Sequence, residues 1–364
     1  MTTGGRRILL VARGLDEVGT GRQLSLTAEG LRNSGWEPHI ATLTGCGTLA
    51  GRLAARGHQL HRLSRRPGLS TASAVGLARL IRRLRPRVVE SWGWSAAGIT
   101  AAVAPAGGPR LLSVLATAVM PVEGWRRAAL GRLIARQHAV LAATPEVTAI
   151  CRGLAGDRLR HVPLPPVILT PPPASLSRQA VARLLGWPAE SCWTCTVAPL
   201  LPRSRLERLV WAVDQLDVVL PGLRHLLVGR GPLAARLARR ARAQQAAGRL
   251  TILPECDFLE SVLPECRLVW QTGEVAYGGA VLEARSLGVP AVAIDSPSSR
   301  GCIIDGDTGR IVASDPPSEL PRRALPILEE DATFHKLAEG CLRHLPSMAA
   351  SLEPHLAVIE EAAG

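Results

Sequence analysis

At 364 residues the chain is too long for one ordinary hydrophobic core and suits two domains of average size. A hydrophobic content of 47% with 20% charged residues excludes extended disorder, and 3% aromatic residues leave few platforms for stacking single-stranded nucleic acid. The formal charge of +13 rests on arginine, Lys336 being the one lysine, which fits a GC-rich coding sequence and still permits attraction to polyanions, anionic membranes or nucleotide diphosphates.

The apolar run at 8–12 is shorter than a signal peptide's core and reads as a buried strand, so a cytoplasmic location is expected. Gly19, Thr20 and Gly21 then lead into a helix over 22–34 that offers Leu24, Leu26, Ala28 and Leu31 to a sheet. These three residues suit a plain helix start, or a loop whose amides meet an acceptor's anionic group. Further strands are predicted at 39–43, 88–90, 111–115 and 139–142. The segment RLIRRLRPR at 79–87 sets Arg79, Arg82, Arg83 and Arg85 on and after a helix, as a solvated face or as an element lying on anionic headgroups. The weakly polar stretch 96–109 is broken by Pro105, Gly107 and Gly108 and falls short of a bilayer span. The run PLPPVILTPPP at 163–173 lacks backbone donors and reads as a linker.

Beyond it, strands are predicted at 195–199, 225–228, 250–253, 268–271, 291–294 and 310–312, with helices at 206–216, 233–246, 279–287 and 320–329. Strands alternating with helices imply parallel sheets, hence an α/β chain with two doubly wound domains. The expected division is 1–165, a proline-rich linker at 166–175, 176–340, and a helical segment at 341–364, interrupted by Pro346 and Pro354, that packs on the second domain or crosses back to the first. Ligands of such folds sit beyond the carboxyl ends of strands, so the site is expected in a cleft between the domains. The eight cysteines are scattered without metal-ligand spacing, and the Cys192/Cys195 couple reads as small buried hydrophobes. No metal is expected.

The densest chemistry lies in GEVAYGGAVLEARSLGVPAVAID at 273–295. A glycine pair, a helix with Glu283 one turn inside, a Gly-Val-Pro stop and a strand follow in succession. Glycines let a backbone approach a ligand and the first amides of a helix lack intrahelical acceptors, so Gly278 and Gly279 are expected to face phosphate oxygens. Glu283 is placed to accept hydrogen bonds from sugar hydroxyls. The same stretch also suits a plain strand, helix and strand with Glu283 solvated.

Three segments, LRHLLVGRGPL at 223–233, GGAVLEARSLGVPAVAID at 278–295 and IIDGDTGRIV at 303–312, together resemble the nucleotide-sugar half of the retaining glycosyltransferase family four. VGTGRQLSLTAEGLRNSGWEPHIATL at 18–43 resembles that family's glycine loop, first helix and second strand. The resemblance implies a GT-B fold of two facing Rossmann-like domains. It implies transfer of a sugar from a nucleotide diphosphate sugar to a glycan or lipid-linked acceptor, with retention and with neither metal nor cofactor. Gly229 and Gly231 resemble the loop beside the nucleotide base, although a simple strand-to-helix turn explains them too.

The catalytic positions depart from the family pattern. Members carry two glutamates with seven residues between them, which puts Val275 where the first should stand and leaves Glu274 one place off. TVAPLLPRSRLERL at 196–209 resembles the segment that supplies an arginine and a lysine to the diphosphate, and those positions hold Pro199 and Ser204. Arg203 and Arg205 flank the lost lysine and are the candidate substitutes, or members of a solvated loop. Trp92 occupies the place of the family's first-domain histidine. An active transferase is therefore the first reading. A weakened member that binds nucleotide or glycan without efficient transfer is the second, and a basic nucleic-acid binder ranks third. Peripheral contact with the inner membrane face accompanies the first.

Overall fold

Apolar runs that continue on both faces of a strand demand cover on both faces, and parallel sheets wrapped by helices supply it. In the computed structural model, residues 6–16, 18–45, 47, 49–64, 68–120, 122–156, 159–164, 166–168, 174–243, 248–345 and 348–364 are described. The chain divides into two units, Met1–Val167 with Met348–Gly364, and Ile168–Ser347. Of the linker expected at 166–175, residues 169–173 lie outside the described residues, as do Cys46 and residues 244–246 of the helix expected at 233–246.

The first unit runs β1 (Arg7–Ala12), α1 (Thr20–Asn33), β2 (Glu37–Thr42), α2 (Leu49–Ala55), β3 (Gln59–Arg62), α3 (Thr71–Leu84), β4 (Val88–Trp92) and α4 (Trp94–Val103). It continues through β5 (Arg110–Leu115), α5 (Trp125–Ile134), β6 (Ala139–Ala142), α6 (Pro145–Ala155) and β7 (Arg160–Pro163). The strands form a seven-stranded parallel sheet, ordered β3-β2-β1-β4-β5-β6-β7. β3 and β7, absent from the sequence reading, are edge strands of only partial burial, so neither presents an apolar run.

The second unit runs α7 (Arg178–Leu185), β8 (Cys192–Val197), α8 (Leu206–Val219), β9 (Leu223–Val228), α9 (Ala234–Ala243), β10 (Leu250–Leu253), α10 (Leu259–Val262), β11 (Leu268–Gln271) and α11 (Val281–Ser286). After β12 (Ala291–Ile294), α12 (Pro297–Cys302) and β13 (Gly309–Val312) it ends in α13 (Glu319–Glu329) and α14 (Asp331–Arg343). Its six strands are ordered β10-β9-β8-β11-β12-β13. Both sheets reverse direction beside their first strand, between β1 and β4 and between β8 and β11. Those are the switch points at whose carboxyl ends open α/β sheets hold ligands.

Two sequence expectations shift. The strand placed at 195–199 begins at Cys192 and ends at Val197, and the helix placed at 279–287 is the shorter α11, preceded by a 3-10 turn at Ala276–Gly278. Among the described residues no helix is long and apolar enough to cross a membrane.

The last helix, α15 (Met348–Ala363), belongs to the first unit. It crosses α1 where Gly30 stands, since a Cβ there would lie 2.6 Å from Leu352 Cδ1. Trp36 Nε1 donates to Glu360 at 2.9 Å, Arg6 pairs with the same carboxylate and Arg160 with Glu361. Among the described residues its deep polar contact is His355 Nε2 with Glu90 Oε1 at 2.6 Å, at side-chain exposures of 1% and 0%. Glu90 Oε2 has no partner. A buried carboxylate deprived of its partner is expensive. His355→Leu is therefore expected to cost about 3–5 kcal/mol, and hydrogen exchange should show amides of 352–363 opening in the variant. Wild-type protection of α15 in that variant would refute the pinning role.

Candidate functional site

Beyond the ends of β8 and β11 the chain approaches itself main chain to main chain. Thr272 Oγ1 donates to Ser204 O at 2.8 Å, and the Glu274 amide to Arg203 O at 3.2 Å. A Cβ on Gly273 would stand 2.1 Å from Arg203 O, and one on Gly279 2.0 Å from Val197 O. From the β9 side, a Cβ on Gly229 would stand 1.9 Å from Ala198 O and one on Gly231 2.4 Å from Leu200 O. Each separation is impossible for a real side chain, so these glycines are required by backbone approach.

The turn that follows is built from left-handed backbone. Tyr277, Gly278 and Gly279 take φ of 53°, 69° and 64°. The Gly278 amide donates to Val275 O at 3.0 Å and the Gly279 amide to Ala276 O at 3.2 Å. The two glycine amides expected to meet a ligand are thus spent on the turn itself. The amides of Ala280, Val281 and Leu282, which open α11, donate to no acceptor among the described residues. The glycines bend the chain, and the next three residues carry the donors.

Two carboxylates flank this turn. Glu283, in the first turn of α11, is 8% exposed and Glu274 is 7% exposed. Glu274 Oε2 accepts from the Ser298 amide at 3.2 Å, which ties that carboxylate to the start of α12. Both act on one buried thiol: burial, with Glu283 and then Glu274 adding to it against the opposing Arg285, pushes Cys302 up to about 12. Cys302 Sγ would lie 3.3 Å from a Cβ on Gly278. The structure therefore gathers Glu274, Gly278 and Glu283 around Cys302.

Ser298 and Gln271 complete the frame and escaped the sequence reading. Gln271 Nε2 donates to Ser298 Oγ at 2.7 Å and to Gly273 O at 3.1 Å, and Ser298 Oγ accepts from the Val275 amide at 3.2 Å. Their signal was the Ser-Pro-Ser-Ser run at 296–299, a helix start with proline at the first position and a Ser296/Ser299 capping box. Arg285, on the far side of α11, donates to Cys302 O at 3.3 Å and His344 O at 2.6 Å, and desolvation lowers its pKa. Among the described residues no cluster of three or more His, Cys, Asp or Glu could hold a metal.

The candidate cations are dispersed. Arg203 is exposed and its carbonyl is the one that receives the Glu274 amide. Arg205 is exposed, has φ of 49°, and lines a groove with Arg208, Trp211 and Arg240 that includes no residue of the 273–283 turn.

A family model described as Glycosyl transferases group 1 matches residues 194–330, and one described as Glycosyltransferase Family 4 matches residues 19–180. A phosphatidyl-myo-inositol mannosyltransferase of Mycolicibacterium smegmatis is 29% identical over 136 residues, 36% of this chain and 34% of that protein. The match thus spans about a third of the mannosyltransferase's length. Among solved structures, Anabaena HepE in complex with UDP and glucose superposes with a TM-score of 0.79 at 15% identity, covering 97% of this chain and 99% of that one. Sucrose-phosphate synthase from Thermosynechococcus elongatus gives 0.77 at 15% identity, with 98% of both chains covered. The two models, at residues 19–180 and 194–330, support a glycosyltransferase of the family-four type. Its fold is GT-B.

Within that family the departures in sequence take a definite form. Ser204, 1% exposed, donates to Pro199 O at 2.6 Å, so the two positions that resemble the family's arginine and lysine are joined by a neutral hydrogen bond. Val275, at the place of the first glutamate, is 6% exposed and packs in the core. In the first unit Trp92, at the place of the histidine, is 3% exposed and its ring lies 5.8 Å from that of His355. It is a packing residue under α15. Gly19 and Thr20 start α1, with Gly19 at φ of 63° accepting from the Gln23 amide at 3.0 Å, while a Cβ on Gly21 would stand 2.3 Å from Asp16 O.

Because Gly279 combines a left-handed backbone with contact against Val197 O, Gly279→Ala should lower stability by more than about 2 kcal/mol. Gly51→Ala, a helical position with open space around it, should be neutral or stabilising by up to about 1 kcal/mol. Thermal denaturation of the pair decides. Equal melting temperatures would show that the turn is not held as described.

Proposed function

We propose that the protein transfers a sugar from a nucleotide diphosphate sugar to a glycan or lipid-linked acceptor, with retention at the anomeric carbon and without a metal or cofactor. The observation that carries this reading is the turn at 276–279, pressed by Gly279 against the end of β8 and presenting the amides of Ala280, Val281 and Leu282 beside Glu283. Amides fixed by main-chain contacts are preorganised donors, and preorganised donors are what a diphosphate gathering charge requires. Glu283 then accepts hydrogen bonds from the sugar hydroxyls. Glu274, with one oxygen held by Ser298, positions the turn. Gly229 and Gly231 bring the β9 loop against residues 198–200 and support a place for the nucleotide's base. In the first unit, the amides at the start of α1, after Gly19, suit an anionic group on the acceptor.

A second reading rests on the Ser204 to Pro199 bond. Where the diphosphate would meet two cations, this chain offers neutral, mutually satisfied groups. Loss of one preorganised stabiliser costs about a hundredfold to a thousandfold in turnover. A member that binds donor and releases nucleotide very slowly follows from that. Arg203 and Arg205, on either side of Ser204, are the cations nearest in sequence that could compensate from a moved loop.

The exposed Arg79, Arg82 and Arg83 of α3, with Arg85 just past its end, support peripheral contact with anionic lipid. Co-sedimentation with phosphatidylglycerol vesicles should fall sharply in Arg79→Glu/Arg83→Glu. Undiminished binding by the double variant would remove α3 from that role.

The donor site is tested by a thermal-shift screen against uridine, guanosine and adenosine diphosphate sugars, followed by assay of free nucleotide and NMR of the new anomeric linkage. At least one donor should raise the melting temperature. Glu283→Ala should weaken that donor by roughly tenfold to a hundredfold, and turnover should persist in chelator. Silence across the whole panel would end the donor-site reading. Stabilisation without nucleotide release would select the weakened member.

A further inference from the structure

We propose that the second unit carries a separate anion site, a groove on the outer face of α8 that takes a small phosphorylated molecule. The groove has a volume of about 510 Å³ and is walled by Arg205, Glu207, Arg208 and Trp211 from α8 and its start, Arg240 from α9, and Pro317 before α13. Its lining, which also includes Pro202, shares no residue with the turn at 273–283; Pro202 and Arg205 come from the loop that follows β8, whereas Arg208, Trp211, Arg240 and Pro317 lie beyond that loop.

The charges in the groove are unbalanced. Arg208 Nη2 donates to Asp315 Oδ1 at 3.0 Å, while its Nη1 is buried with no acceptor. A buried guanidinium donor left without a partner is the kind of defect that a ligand oxygen repairs. Arg205 and Arg240 make neither an ion pair nor a side-chain hydrogen bond among the described residues. The carboxylates nearby are engaged, Asp315 by Arg208 and Glu207 by Arg236 at 3.6 Å. Hydrogen bonds from Arg208 and Ser314, with the charges of Arg208 and Arg205 adding to them, hold Asp315 below the usual carboxylate range, so this one carboxylate serves two guanidinia and leaves Arg240 without an ion pair among the described residues. Arg205 holds its position in left-handed backbone, φ 49°, a conformation that favours glycine. An observed outlier at the mouth of a cationic groove points to a ligand role.

Guanidinium groups converging from two helices suit the several oxygens of a phosphate or pyrophosphate, which accept in the fork geometry of arginine. Trp211 adds a flat apolar wall for a ring attached to that phosphate. The volume falls in the range of small-molecule sites, and an open groove of that size falls short of the continuous stripe that a nucleic acid needs. The shared chemistry is a multiply charged phosphate, whether inorganic or on a nucleotide or sugar.

Isothermal titration of the full chain with inorganic pyrophosphate and, separately, with uridine monophosphate tests the site. Arg208→Gln and Arg240→Gln should each weaken pyrophosphate by at least about tenfold, with unchanged melting temperatures, while Glu283→Ala leaves it intact. Tighter binding of the nucleotide than of pyrophosphate, abolished by Trp211→Ala, would assign the source to a ring-bearing phosphate. Equal binding would assign it to the inorganic ion. The proposal fails if millimolar pyrophosphate gives no heat, if the arginine variants bind as well as wild type, or if Glu283→Ala abolishes binding. It fails equally if only a long nucleic acid binds.

Discussion

Four carbonyl oxygens in the segment after β8, those of Val197, Ala198, Leu200 and Arg203, stand where the Cβ of a glycine from another loop would otherwise be. Gly279, Gly229, Gly231 and Gly273 answer them in turn. No layer of side chains separates these loops, so the β9 loop, the β8 loop and the turn before α11 behave as one rigid piece of main chain at the switch point. Side-chain packing tolerates small volume changes by repacking, but main-chain contact of this kind has nothing to repack. Placement of the α11 amides, of Glu283, and of the α12 start through Ser298 all descend from that contact.

The strands in the middle of each sheet were legible because burial on both faces forces continuous apolar runs, as in β1 and β12. β3 and β7 escaped because an edge strand needs only part of that pattern. At the candidate site, the order glycine pair, glutamate and strand marked a turn, which the structure forms at 276–279. Which amides it presents depended on something that sequence does not spell out, that Tyr277 joins Gly278 and Gly279 in left-handed backbone and consumes the glycine amides internally. Trp92 illustrates the same limit: it stands at the place of the family's histidine, and its burial against His355 of α15 is not spelled out by the local sequence.

The distribution of positive charge is the other lesson of this unit. At the loop itself Pro199 and Ser204 are neutral, the Ser204 hydroxyl donating to the Pro199 carbonyl, whereas guanidinium groups collect on the exposed face of α8 and α9. In the proposed transfer, neutral groups at 199 and 204 leave stabilisation of the diphosphate to the amide dipoles that open α11. Amide dipoles are fixed and cannot be screened by swinging away, but each carries only a fraction of a charge.

The first unit is completed by the last residues of the chain. Residues 168–347 must leave the ribosome before α15 exists, and until then Glu90 and Trp92 lie at an open seam of a finished sheet. Completion of the first unit is thereby tied to a segment made after the whole of the second. A nascent chain stalled anywhere before His355 carries an exposed acidic notch in an otherwise apolar surface, a mark by which an incomplete molecule differs from a whole one.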